Sequence, residues 1–151
     1  MAYVSLDSDQ IKKAHKKHKY SKTQVEQLEK CMDEKSGPLY FMKSFMKIQH
    51  PVKGSIPFHP FPYQERLISS YNDHRFSIAM LPRQTGKTTC ASGFLIWYAM
   101  FRPDSQILIA AHKYAGASDI MSRVRYAYEM LPAWIKAGVT QYNRNSIEFD
   151  N

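Results

Sequence analysis

The sequence predicts an α/β fold, a mostly parallel sheet flanked by helices, with a helical segment ahead of it. Three observations predict it. Two apolar runs of strand length, 76–81 and 106–111, are each followed by a helix-forming stretch; continuous apolar strands alternating with helices mark a parallel sheet covered on both faces. A tight loop, 82–88, joins the first run directly to its helix. A third segment, 146–150, alternates polar and apolar residues, as a half-exposed strand does.

Composition narrows the class. The chain has 151 residues, 21 Lys+Arg against 13 Asp+Glu and a formal charge of +8, with 44% hydrophobic and 13% aromatic residues. That length and apolar content suit a folded domain and argue against wholesale disorder. Cys31 and Cys90 lie far apart, with no ligand spacing around them. A disulfide scaffold and a structural zinc site are therefore not expected, and a reducing interior is. The first ten residues lack the apolar core of a secretory signal, and the longest apolar stretch, 94–101, is too short to span a bilayer. The positive balance favours a polyanionic partner.

Taken in order, residues 1–36 form a Lys-rich helical segment. Between Ile11 and Lys22 there are six lysines and no acid; such a run reads as a solvated helix face, a phosphate-contacting arm or a docking helix. Ser21 and Gln24 have capping-box spacing, with Val25, Leu28 and Met32 following at helical intervals. Two short helices with a break near Tyr20 are expected. Residues 37–61 comprise a buried helix from Leu39 to about Ile48, then a Pro-rich, irregular connector. From Pro62 a helix begins with proline at its first position and Glu65 in its first turn. The helix after the loop, from about Lys87 to Phe101, is expected to bury Cys90, Ala91, Phe94, Leu95, Tyr98 and Phe101 as one stripe. The next, roughly 115–131, turns Ile120, Met121, Val124, Tyr128 and Leu131 inward and Arg123 and Arg125 outward.

The sharpest chemistry lies in 81–89. A loop that leaves a buried strand and opens a helix aims backbone N–H groups at one point, where the helix dipole adds positive potential. Gly86 allows close backbone approach, Lys87 would place its ammonium on β- and γ-phosphates, and the Thr88 hydroxyl would ligate Mg²⁺. The first glycine of the GxxxxGK[ST] consensus falls on Leu81. Arg83 is either a structural cap or an arginine that reaches the γ-phosphate. Tyr63 and Gln64, upstream, could stack on and pair with adenine or be ordinary helix residues. His112 and Lys113 end the second apolar run at the edge where open α/β sheets present loops to ligands.

Pro62-Tyr63-Gln64, the stretch from Pro82 to Thr89, the run from Ile109 to Lys113 and the tail from Asn145 to Asn151 together resemble the large terminase subunit of tailed phages. The likeness covers roughly 41–151 and is nearest the contractile-tailed branch. It implies a P-loop NTPase of the RecA/ASCE-like class and explains the missing first glycine through the Arg-Gln-x-Gly-Lys-Thr-Thr form. It implies ATP and Mg²⁺ as cofactors held by Tyr63, Gln64, Arg83, Gln84, Thr85, Gly86, Lys87, Thr88 and Thr89, with Thr88 on the metal and Arg83 and Lys87 catalytic. It further implies ATP-driven translocation of double-stranded DNA into a capsid, a nuclease domain downstream, a ring of subunits, portal and small-terminase partners, no membrane, and the host cytoplasm.

The family also places an apolar strand ending in Asp-Glu, whose Glu activates the attacking water. After Thr88 the acids are Asp104, Asp119, Glu129, Glu148 and Asp150, and none follows four apolar residues. Residues 62–151 are therefore expected to be a partial ATPase domain without that acidic strand, inactive for hydrolysis alone. Two other readings stay open: a piece of a helicase-like DNA translocase, and a catalytically dead basic module that binds nucleic acid or a partner.

Overall fold

The computed structural model describes residues 10–151; the first nine residues of the Lys-rich segment lie outside the described residues. Among the described residues, five helices and two small sheets follow one another as α1 (Lys22–Met32), α2 (Gly37–Phe45), β1 (Lys47–His50), β2 (Gly54–Pro57), α3 (Pro62–Asp73), α4 (Lys87–Phe101), α5 (Tyr114–Glu129), β3 (Val139–Tyr142) and β4 (Ile147–Phe149). The class is α/β.

The expected capping box starts α1: Gln24 N–H donates to Ser21 Oγ at 3.3 Å, and Ser21 N–H donates to Gln24 Oε1 at 3.0 Å. Among the described residues no helix precedes it. Residues 10–20 are irregular, because a lysine run without acids offers no i,i+4 pairs to support an isolated helix. Between α1 and α2 the Asp33 carboxylate accepts from Ser36 N–H, Ser36 Oγ and Lys35 N–H, and these bonds hold its pKa below the usual value. Pro38 then sits in the first turn of α2.

The expected irregular connector contains an antiparallel hairpin instead. Ile48 pairs with Ile56 and His50 with Gly54. His50 Nδ1 accepts from Val52 N–H and Lys53 N–H, closing the turn, and Gly54 takes φ +70°. A side chain thus supplies the turn chemistry that the Pro-rich composition hides.

Helix α4 lies at the centre, packed on α2, α3 and α5. Its sequence, KTTCASGFLIWYAMF, is apolar almost all round, the pattern of a buried helix. The buried face is Cys90, Ser92, Gly93, Ile96, Trp97 and Met100, rather than the stripe through Ala91, Leu95 and Tyr98 that the sequence suggests. Gly93 lets α2 approach: a Cβ there would lie 2.4 Å from Met42 Cε and 2.5 Å from Met46 Sδ. Trp97 Nε1 donates to Cys31 O at 2.8 Å and fastens α1 to α4. On α5, Val124, Ala127 and Tyr128 are buried and Arg123 faces out, bonded to Asp119. Arg125 is half-buried rather than outside.

The expected parallel sheet is not formed among the described residues. The two sheets are antiparallel pairs, β1–β2 and β3–β4. The expected strand at 146–150 is present as β4, paired with β3 across a bulge between Val139 and Gln141. Segments 76–81 and 106–111 carry no strand pairing; Ile78, Met80 and Leu108 are 94%, 91% and 91% exposed. They flank the outer face of α4. Ser77 lies with Ala91, Phe94 and Leu95, while Ile107 and Ile109 join Leu95, Ala99 and Phe149 around a cleft of about 340 Å³. A strand needs a hydrogen-bonded neighbour, and a run of apolar residues cannot supply one locally.

Candidate functional site

The 82–88 loop runs into α4 through two residues of positive φ, Gln84 at 63° and Gly86 at 75°. Left-handed backbone is costly for residues with a Cβ, and Gly86 has a second reason to lack one. An added Cβ would sit 2.6 Å from Gln64 Nε2. Gly86 is the N-cap of α4, and Cys90 N–H donates to Gly86 O at 2.9 Å as the helical ladder begins. The N–H groups of Lys87, Thr88 and Thr89 belong to the first turn, where a helix provides no partners of its own.

Four side chains set the loop. Thr85 Oγ1 donates to Pro82 O at 2.9 Å. Lys87 Nζ donates to Leu81 O at 2.7 Å and to Pro82 O at 2.6 Å, folding its stem back over the loop. From α3, Tyr63 Oη and Gln64 Nε2 both donate to Thr85 O at 3.0 Å. Gln64 is buried, and its Oε1 accepts from Phe61 N–H at 2.9 Å, so the amide joins the start of α3 to the loop with both ends used. Each end retains one further hydrogen or lone pair. The Tyr63 ring stacks on Phe61 at 5.9 Å with planes 6° apart, and Phe61 is exposed.

Of the sequence-predicted residues, Tyr63, Gln64, Thr85, Gly86 and Lys87 are brought together directly. Thr88 and Thr89 are half-buried on the first turn of α4. Arg83 and Gln84 are exposed on the loop, and His112 and Lys113 are exposed at the start of α5. The acids after Thr88 are committed elsewhere or open to solvent. Asp119 binds Arg123, Glu129 accepts from Tyr142 Oη, and Asp150 accepts from His15 N–H. Glu148 and Asp104 are exposed.

Two features here are of the kind a phosphate group could use: first-turn N–H groups that lack helical partners next to Gly86 with φ above zero, and the Lys87 ammonium, which in this structure bonds the carbonyls of Leu81 and Pro82. Sequence reasoning did not anticipate that Gln64 and Tyr63 hold the loop's own backbone. Nothing in their local pattern signals it, because the contact spans more than twenty residues.

Among the described residues, no helix is long and apolar enough to cross a membrane. Residues 78–151, which carry the loop, α4, α5 and the β3–β4 hairpin, match the family described as terminase large subunit, T4likevirus-type, N-terminal. Tyr63 and Gln64 lie ahead of that match. Over this C-terminal half, the chain belongs to the terminase large subunit family of phage DNA packaging.

Proposed function

We propose that this chain is the nucleotide-binding N-terminal part of a DNA-packaging motor, and that the 82–88 loop holds Mg-ATP. The observation that carries the reading is the placement of Lys87 at the first position of α4, directly after the left-handed Gly86. Backbone N–H groups of the first turn would take the phosphate oxygens, and Lys87 would exchange the carbonyls of Leu81 and Pro82 for the β- and γ-phosphates. The Thr88 hydroxyl would hold the metal, and exposed Arg83 is free to swing to the γ-phosphate. Gln84, Thr85 and Thr89 would line the remaining loop. Tyr63, already stacked on Phe61, offers the base an aromatic face; the unused hydrogen and lone pair of Gln64 match the edge of adenine. Mg²⁺ bound there supplies charge neutralisation between the phosphates.

In the same reading, 76–81 and 106–111, unpaired in this structure, would pair as strands of a parallel P-loop sheet in the whole protein, a reading supported by their apolar sequence and by their position over the outer face of α4. The whole protein would couple ATP hydrolysis to translocation of double-stranded DNA, with portal and small-terminase partners, a ring of subunits and a nuclease domain. Alone, this chain would bind nucleotide without turning it over, since no carboxylate after Thr88 stands ready to activate water. Titration of the chain with a fluorescent ATP analogue in Mg²⁺ tests the reading. Saturable binding that Lys87→Ala lowers by tenfold or more supports it; equal binding by both proteins defeats it.

A further inference from the structure

The Lys-rich run has no part in that site, yet it is built into the fold. Ile11 is buried in the core. Lys12 N–H donates to Tyr128 Oη at 3.3 Å, Val139 N–H donates to Lys12 O at 2.9 Å, and Lys13 bridges Val139 in parallel. Two ammonium groups complete the clasp: Lys12 Nζ donates to Lys136 O at 2.8 Å, and buried Lys136 Nζ donates to Gln10 O at 2.6 Å. His15 N–H then donates to Asp150 Oδ2 at 2.6 Å. At the other end, the Ser21 capping box fixes the chain as it enters α1. Residues 16–20 form a strap between two anchored ends.

The strap presents Lys16, Lys17 and Lys19, with Lys22 following at the first position of α1; all four are exposed, and none is ion-paired with another described residue. His18 and Tyr20 stack edge to face at 4.9 Å between them. We infer that this strap is a contact surface for the phosphate backbone of duplex DNA. Anchoring both ends removes much of the ordering cost of gathering like charges. Solvated ammonium groups on long stems meet phosphates as point charges and gain from counterion release. A protein partner would need an apolar anchor, and lysine is depleted in such interfaces; between Lys16 and Lys22 the only large ring is Tyr20, half-open to water. Fully extended, the six Cα steps from Lys16 to Lys22 would reach at most about 20 Å. That is long enough to follow about a dozen of the duplex charges, spaced roughly 1.7 Å apart along the axis.

The choice of duplex DNA as the polyanion rests on the packaging reading; the site itself does not. The test measures binding of the whole chain to a labelled duplex of about 20 base pairs by anisotropy, across a salt series. Each phosphate contact adds about 0.9 to the slope of log affinity against log salt. The variant Lys16→Gln/Lys17→Gln/Lys19→Gln/Lys22→Gln is expected to lower that slope by about 3 to 4 and to cut affinity at low salt at least tenfold. A charge-matched control, Lys30→Gln/Lys35→Gln/Lys47→Gln/Lys53→Gln, is expected to change both far less. Equal effects of the two variants, or no effect of the first, overturn the inference. So does displacement of the duplex by polyglutamate at matched charge, which would reassign the strap to an acidic polypeptide. Nucleotide binding by Lys87→Ala, measured on the same preparation, reports on the ATP reading separately.

Discussion

Gln64 and Thr85 are joined by a hydrogen bond of 3.0 Å from the side-chain amide to the main-chain carbonyl, and this bond ties the first turn of α3 to the loop that opens α4. The amide is buried and bonded at both ends, so losing it leaves the Phe61 N–H without a partner. Gln64→Ala is expected to cost about 1–3 kcal/mol, read as a fall in thermal midpoint. Gln64→Glu retains the acceptor for Phe61 but loses the donor to Thr85. It is expected to weaken nucleotide binding with a smaller loss of stability, and equal stability losses in the two variants would count against this division.

Gly86 is constrained twice, by its φ of +75° and by the 2.6 Å that would separate a Cβ from Gln64 Nε2. Gly86→Ala is expected to destabilise by about 2 kcal/mol, of which roughly 1 is backbone conformation. In a Gln64→Ala background only the backbone part remains. A thermal double-mutant cycle that is strictly additive would contradict the close contact.

Gly37 and Gly93 are both crowded but by different neighbours. A Cβ at Gly37 meets Cys31 O at 2.4 Å, a backbone atom, whereas at Gly93 it meets the flexible ends of Met42 and Met46. Gly37→Ala is therefore expected to cost about 2–3 kcal/mol. Gly93→Ala should stay within about 1 kcal/mol, because the gain in helix propensity offsets the repacking. Urea denaturation of both variants checks the order.

Alkaline pH should unfold the chain. Burial pushes the Cys31 thiol up to about 12 from 9.0, Cys90 to about 11, and the Tyr128 phenol to about 12 from 10.0. Burial and the bond to Glu129 raise Tyr142 as well. Groups whose folded values lie above their unfolded ones stabilise fully below the unfolded value and lose that contribution as pH climbs to the folded one. Stability should fall from about pH 9 to pH 12, by a few kcal/mol at roughly 1.4 kcal/mol per unit. Lys136 works in the opposite sense: burial lowers its value, and its penalty is relieved as pH rises towards 10.5. Four thiol and phenol groups with large upward shifts outweigh one such lysine. A flat denaturation midpoint between pH 8 and 11 would refute the assignment.

Ile78 and Met80 stand almost fully in solvent. Ile78→Lys/Met80→Lys is expected to leave the thermal midpoint within about 2 °C, since exposed positions contribute little. The same variant should reduce concentration-dependent association measured by sedimentation, as charge on an open edge blocks edge pairing.

Much of this was readable from sequence wherever the cause is local. The capping box of α1, proline at the start of α3, the extent of α4 and the alternation of β4 depend on neighbours within a turn or two. The face of α4 was not readable, because a helix apolar all round has no moment to orient it; Gly93 against Met42 and Met46 decides the rotation. Residues 76–81 are expected from their apolar run to be a strand and form none here, since pairing depends on a partner elsewhere in the chain. The hairpin at Lys47–Pro57 was masked by Pro51 and Gly54, while His50 supplied the turn. At the site, the glycine, lysine and threonine of the loop are sequence-legible, whereas the bracing of Thr85 by Tyr63 and Gln64 is a property of packing.

The clasp between Lys12 and Lys136 contains ammonium groups and main-chain carbonyls and no carboxylate. Mild acid can protonate Asp150, which accepts from His15 N–H, and the Glu129 carboxylate whose charge acts on Lys136, but it leaves the bonds from the two ammonium groups to main-chain carbonyls intact. The strap's root therefore keeps its Lys12 and Lys136 bonds where acid loosens Asp150 from His15, and proteolysis at moderately low pH should trim the exposed lysines sooner than it frees the end buried at Ile11.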